Sequence, residues 1–289
     1  MRSLNKCALA KKTNCFIAVD YPPEPKMLPD YNAILKFNRK KWKFKKTTIF
    51  TQKRNLGPVK NYETAISKIF RTHSRVIVLE DDNIVSKNFL VFMNEALRHF
   101  EKVPKCLGVC GHTLSQKSGR LAHDVYRAFY FCGWGCGMFR SRNENYQEAQ
   151  AVHLNRCFLN LKKLFLCLKN HPHVFRIYME SRLRGTSFGD INLSVAALAG
   201  DYFYVYPSQT KVVNLGHDGS GHRIREKKDP FPRKFLDENK TRFDFTMNPA
   251  WCRSYHQANR AKLGQYIKIR FFLLGKLYFH YLRQCLKKS

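Results

Sequence analysis

Val76-Ile77-Val78-Leu79-Glu80-Asp81-Asp82-Asn83 decides how the rest of the chain is read. Four consecutive apolar residues, three of them β-branched, predict a buried strand of a sheet covered on both faces. Three acids follow without a gap, so carboxylates gather at the carboxyl edge of a sheet, where open α/β folds bind ligands. Such oxygens suit hard divalent cations, Mg²⁺ or Mn²⁺, which in turn hold phosphate oxygens. A solvated loop after a core strand is the other reading of the same residues.

Working outward, Cys15–Val19 reads as a strand stopped by Asp20 and Tyr21-Pro22-Pro23, and residues 46–50 read as a second. Tyr31–Lys40 and Asn61–Phe70 carry helical patterns, and Phe89–Phe100 a stronger one. Strands alternating with helices predict a parallel sheet built from βαβ units. Arg2–Lys12 is expected to be the tail of a helix. Past Phe100 the pattern loosens. Cys106–Gly111 and Tyr202–Tyr206 are expected as strands, and Val152–His173 and Asp190–Leu198 as helices. Tyr126–Arg140 is rich in aromatics and glycine. Val212–His222 reads as a glycine-rich loop.

Composition bounds the partners. Lys+Arg 52 against Asp+Glu 21 gives a net charge of +31, a field that attracts nucleic acid, anionic lipid or phosphorylated substrates alike. Nucleic acid is disfavoured, because the cations spread along the whole length and three adjacent acids repel phosphate unless a metal intervenes. The ten cysteines show no zinc-ligand spacing and read as reduced thiols of a cytosolic protein. Met1–Lys12 lacks the apolar run of a signal peptide, and no uncharged apolar stretch is long enough to span a membrane. Residues 224–248 read as irregular, and 266–288 as an amphipathic helix with no acid. That helix suits either an anionic membrane surface or packing on the domain.

The order strand–Asp20, loop Asn55-Leu56-Gly57, strand–Glu80-Asp81-Asp82 and then Phe131-Cys132-Gly133-Trp134-Gly135 resembles the GT-A fold nucleotide-sugar glycosyltransferases. Among them it is most similar to the N-acetylglucosaminyltransferase I-like group and its bacterial surface-glycan relatives. The likeness runs from about Arg2 to Arg223 and is most specific over Val76–Leu97. It implies an α/β, Rossmann-like, mixed and mostly parallel sheet flanked by helices. A catalytic domain would occupy residues 1–223, and a basic C-terminal helical extension residues 224–289. Family members begin with one more strand, ahead of the helix that here starts near Arg2, so the resemblance implies a catalytic domain short of its first strand.

The resemblance also implies roles. Asp82 matches the carboxylate that contacts Mn²⁺ or Mg²⁺, Glu80 and Asp81 lie near sugar and ribose, and Asp20 reads the nucleoside base. A turn-initiating Asp before two prolines is the plainer account of Asp20. Asp190 matches the catalytic base of inverting members, although Phe188-Gly189 stand where the family carries tryptophan. As an alternative, Asp190 is the N-cap of a helix starting at Ile191. Trp134 offers a flat ring for a sugar or is simply core. Lys53 and Arg54 face the nucleotide or are merely solvated. His217 and Asp218, with Ser220 and His222, close over the diphosphate or form a surface turn. The implied reaction moves a sugar from a UDP-linked donor to a glycan or lipid-linked glycan at the cytoplasmic face of a membrane. A catalytically inactive copy that binds a glycan or partner, and a basic nucleic-acid-binding protein, are the alternatives.

Overall fold

The computed structural model describes residues 1–113, 123–142, 154–186, 188–216 and 238–247, with residues 235, 275, 278–280, 282 and 283. Within them the protein is a mixed α/β structure with helices against a mixed sheet. In chain order the strands are β1 (Asn14–Val19), β2 (Lys46–Thr51), β3 (Arg75–Val78), β4 (Asn83–Val85), β5 (Cys106–Cys110), β6 (Val125–Ala128), β7 (Cys136–Phe139), β8 (Phe203–Pro207) and β9 (Val212–Asn214). The helices are α1 (Leu28–Asn38), α2 (Gly57–Phe70), α3 (Phe89–Phe100), α4 (Leu161–Asn170), α5 (Pro172–Leu183) and α6 (Gly189–Ala199).

β1–α1–β2 is a parallel βαβ unit, as the alternation predicts, with Asn14 opposite Lys46 and Val19 opposite Thr51. The larger sheet has the order β3-β7-β5-β8-β6. Its β3, β5 and β8 run one way, whereas β7 and β6 run the other. A third, short pair joins β4 to β9 in antiparallel fashion.

The core centres on α3 and β5. In α3 the apolar positions 89, 90, 92, 93, 96, 97 and 100 repeat at helical spacing, and all seven are buried. Beneath them Val109, Phe139 and Val205 complete one cluster. A second cluster lies on the other side of the sheet, where α4, α5 and α6 gather on Tyr126, Tyr204 and Tyr206. The stretch 238–247 has neither helix nor strand, as expected, but it is packed: Phe243 and Phe245 lie against Phe92, and Phe245 also against Phe100. Among the described residues eight cysteines are free thiols, all buried, and burial raises their pKa values.

Three expectations need correction. Arg2–Lys12 is not a continuous helix but two 3-10 turns, Leu4–Lys6 and Ala10–Lys12. Tertiary bonds break it: Cys7 is extended, its Sγ donates to Ser86 O, and the Ala8 amide donates to Lys87 O. The Val76 strand is not covered on both faces. All four residues of β3 are half-buried, and β3 hydrogen-bonds only to β7 among the described residues. Finally, Val212–Asn214 is a strand, because its backbone pairs with the residues just past the acidic run.

Candidate functional site

The acidic turn owes its shape to the β4–β9 pair. β3 ends at Val78, the chain turns through Glu80 and Asp81, and β4 begins at Asn83. Asn83 is directly opposite Asn214 in the β4–β9 register. Both amides therefore donate to one oxygen: Asn83 Nδ2 and Asn214 Nδ2 each lie 2.8 Å from Asp82 Oδ1. The Leu215 amide donates to the Asp82 carbonyl at 2.9 Å, and the Gly216 amide to Asn214 Oδ1 at 2.7 Å. Asp82 Oδ2 is turned to Gly216, where a Cβ would meet it at 2.5 Å. Only glycine leaves room there. Burial raises the Asp82 pKa, against the lowering pull of the Asn214 amide.

Glu80 turns toward a different partner. A Cβ at Gly133 would sit 3.6 Å from Asp190 Oδ1 and 3.8 Å from Glu80 Oε1, so two carboxylates meet over one glycine. Glu80 is exposed by surface area, yet its carboxyl end is crowded. Burial raises its pKa to about 7, and the charges of Asp82, Asp190 and Asp81 push the same way.

Asp190 is in the first turn of α6, but Phe188 is the N-cap. The N-cap alternative for Asp190 is thus corrected; its charge still favours the helix start through the macrodipole. Ser194 Oγ donates to the Asp190 carbonyl at 2.7 Å and accepts the Phe131 amide at 2.9 Å. One hydroxyl thereby ties the acid's helix to the Phe131–Gly135 segment. Gly135 has φ +65, and a Cβ there would lie 2.5 Å from Val212 Cγ2, so β9 also presses on that segment. Trp134 is half-buried, borders both large clusters and stacks edge-on against His112 with centroids 4.8 Å apart. It is core and surface at once.

The structure therefore brings Glu80, Asp82, Asp190 and the Gly133–Gly135 segment together, while the other predicted residues stand differently. Asp20 spends its carboxylate on backbone: Oδ1 accepts from Tyr21 N at 2.9 Å and Leu56 N at 3.0 Å, and Oδ2 from Leu56 N at 3.2 Å. Asn55 Nδ2 adds a bond to Tyr21 O at 2.6 Å. These bonds fasten the end of β1 to the loop after β2. Lys53 and Arg54 are exposed on that loop, and Asp81 is exposed in the acidic turn. His217, Asp218, Ser220 and His222 lie outside the described residues, as does most of the helix expected over 266–288.

Sequence reasoning missed Asn83, Asn214, Gly216 and Ser194. An amide or hydroxyl that orients an acid carries no spacing of its own. Adjacency of Asn83 to the acids was the one signal in the chain. As for a cation, the described residues contain no group of three His, Cys, Asp or Glu side chains able to hold a metal. Asp82 Oδ2 alone fits a cation that arrives on a phosphate and keeps most of its own waters, as Mg²⁺ does, and not a preformed protein cage.

Comparison with known proteins adds no identity: neither the protein-family models nor the curated protein sequences match this chain. Fold and site together define a mixed α/β protein with a carboxylate-rich turn facing the start of a helix. Among the described residues no helix is long and apolar enough to cross a membrane.

Proposed function

We propose that the protein is a GT-A type glycosyltransferase that moves a sugar from a nucleotide diphosphate donor, UDP-linked, to a glycan or lipid-linked glycan with inversion. One observation carries the reading: Glu80 and Asp190, far apart in sequence, meet over Gly133 beside the Asp82 turn. Two carboxylates set side by side suit proton transfer at a hydroxyl. In this reading Asp190 takes the proton of the acceptor hydroxyl as its oxygen attacks the anomeric carbon and the bond to the diphosphate breaks. Glu80, its carboxyl pushed up to about 7 by burial, hydrogen-bonds the sugar beside Asp190. The Trp134 ring supports a sugar face, and Asn83 and Asn214 hold Asp82 toward the phosphates. A bound Mn²⁺ or Mg²⁺, with Asp82 as its protein ligand, would offset charge on the departing diphosphate.

The test is UDP release from UDP-sugars with Mn²⁺ and a glycan acceptor. Asp190→Asn is expected to lower kcat by about 10²–10⁴-fold, with calorimetric UDP–Mn²⁺ binding retained. No turnover with any sugar nucleotide sinks the proposal. A non-catalytic glycan-binding relative is the second reading, favoured by the way backbone amides occupy the Asp20 carboxylate. Absence of UDP and Mn²⁺ binding in calorimetry would select it.

A further inference from the structure

We propose that the outer face of α4 docks onto an anionic lipid bilayer, independently of the transfer reaction and of the 266–288 segment. Leu161, Lys162, Phe165, Leu166 and Lys169 fall at i, i+1, i+4, i+5 and i+8, one stripe of a helix. Three of the five are large apolar residues left in water: Leu161 is 72% exposed, Phe165 64% and Leu166 42%. Just before the helix Leu159 is 40% exposed.

The helix itself is anchored. Asn160 Oδ1 caps it by accepting the Lys163 amide at 3.2 Å, and Leu164, Cys167 and Leu168 face inward to the core. Lys163 is drawn aside to the Ala199 carbonyl and Asp201. What remains outward is apolar with a lysine on each side, and Lys169 Nζ lies 5.4 Å from the Phe165 ring centroid.

Charge names the occupant. Residues 149–179 contain no Asp or Glu and five Lys or Arg. A protein groove complementary to this stripe would have to be acidic and apolar at once. An anionic bilayer supplies both: acyl chains accept Leu161, Phe165 and Leu166 while the lysines reach up to phosphate headgroups. Nucleic acid offers phosphate but no place for three exposed aliphatic and aromatic tips.

The experiment uses the full chain and two kinds of vesicle, phosphatidylcholine alone and phosphatidylcholine with about one third phosphatidylglycerol. The wild type is expected to sediment with the second and not the first. The double variant Leu161→Ser, Phe165→Ser changes exposed positions only and should keep its circular dichroism, while its partition coefficient falls about tenfold or more. In the single variant Phe165→Trp the added emission should shift to the blue on binding and be quenched by brominated acyl chains. Failure of the wild type to bind overturns the inference. So does undiminished binding by the double variant, which would locate the contact in bare charge or in another segment. An added emission in Phe165→Trp that vesicles leave unmoved overturns it as well.

Discussion

Two sheets of the molecule are built from similar-looking strands and end up differently. β5, with Cys106, Val109 and Cys110 fully buried, has a partner on each side and α3 on one face. β1 and β2 pair only with each other among the described residues, and their residues are mostly half-buried or exposed. β3, whose Val76, Ile77 and Val78 are all β-branched and apolar, joins the larger sheet only at its rim. Hydrophobic character creates a demand for burial, but neighbours supply it. The acidic turn leaves that rim, so the candidate site lies where the sheet is least covered, and rigidity there comes from the β4–β9 clamp.

The comparison breaks most readily on core deletions. Phe92→Ala, at a fully buried position of α3, should cost about 3–5 kcal/mol in denaturant unfolding. Phe16→Ala in the half-buried β1 should cost about 1–2 kcal/mol. Equal losses would mean that the β1–β2 unit is integrated as tightly as the centre. Hydrogen exchange sharpens the same contrast without mutation: β5 amides should exchange only on global opening, and β1 and β2 amides about a hundredfold faster through local opening.

At the clamp, Asn214→Ala removes one of two donors to Asp82 and should cost about 1–2 kcal/mol. Because the Asn214 amide lowers the Asp82 pKa, its loss should raise that pKa further, visible by carboxyl NMR titration. An unchanged Asp82 titration would show that Asn83 alone sets the carboxylate.

The smallest effect is on pH. The folded pKa of Glu80, about 7, lies above its ordinary 4.5, so the native state binds the extra proton between those values. That contribution to stability is complete below pH 4.5, drains as pH rises to about 7 and is absent above it. Glu80→Gln should therefore flatten the decline and raise Tm above pH 7 by about 2–4 °C. A decline that keeps its slope in the variant would assign it to another group.

Helix α3 was legible to the residue, since its seven buried positions repeat with no competing period. β1 and β2 were legible within a residue or so, bounded by Asp20 and by the loop after Thr51. Two of the corrected segments share one trait. Residues 2–12 and 212–214 are short and owe their conformation to bonds with distant backbone, which leave no local pattern.

By itself the sequence determined that carboxylates end an apolar strand, that α3 lies behind them, and that the surface is strongly cationic. Period and composition are local quantities, and one chain carries them complete. Tertiary structure alone decided that Glu80 lies beside Asp190, that two asparagines orient Asp82, and that α4 turns Leu161 and Phe165 to water. Each depends on which segments become neighbours, and that is settled by how the two clusters pack on either side of one sheet.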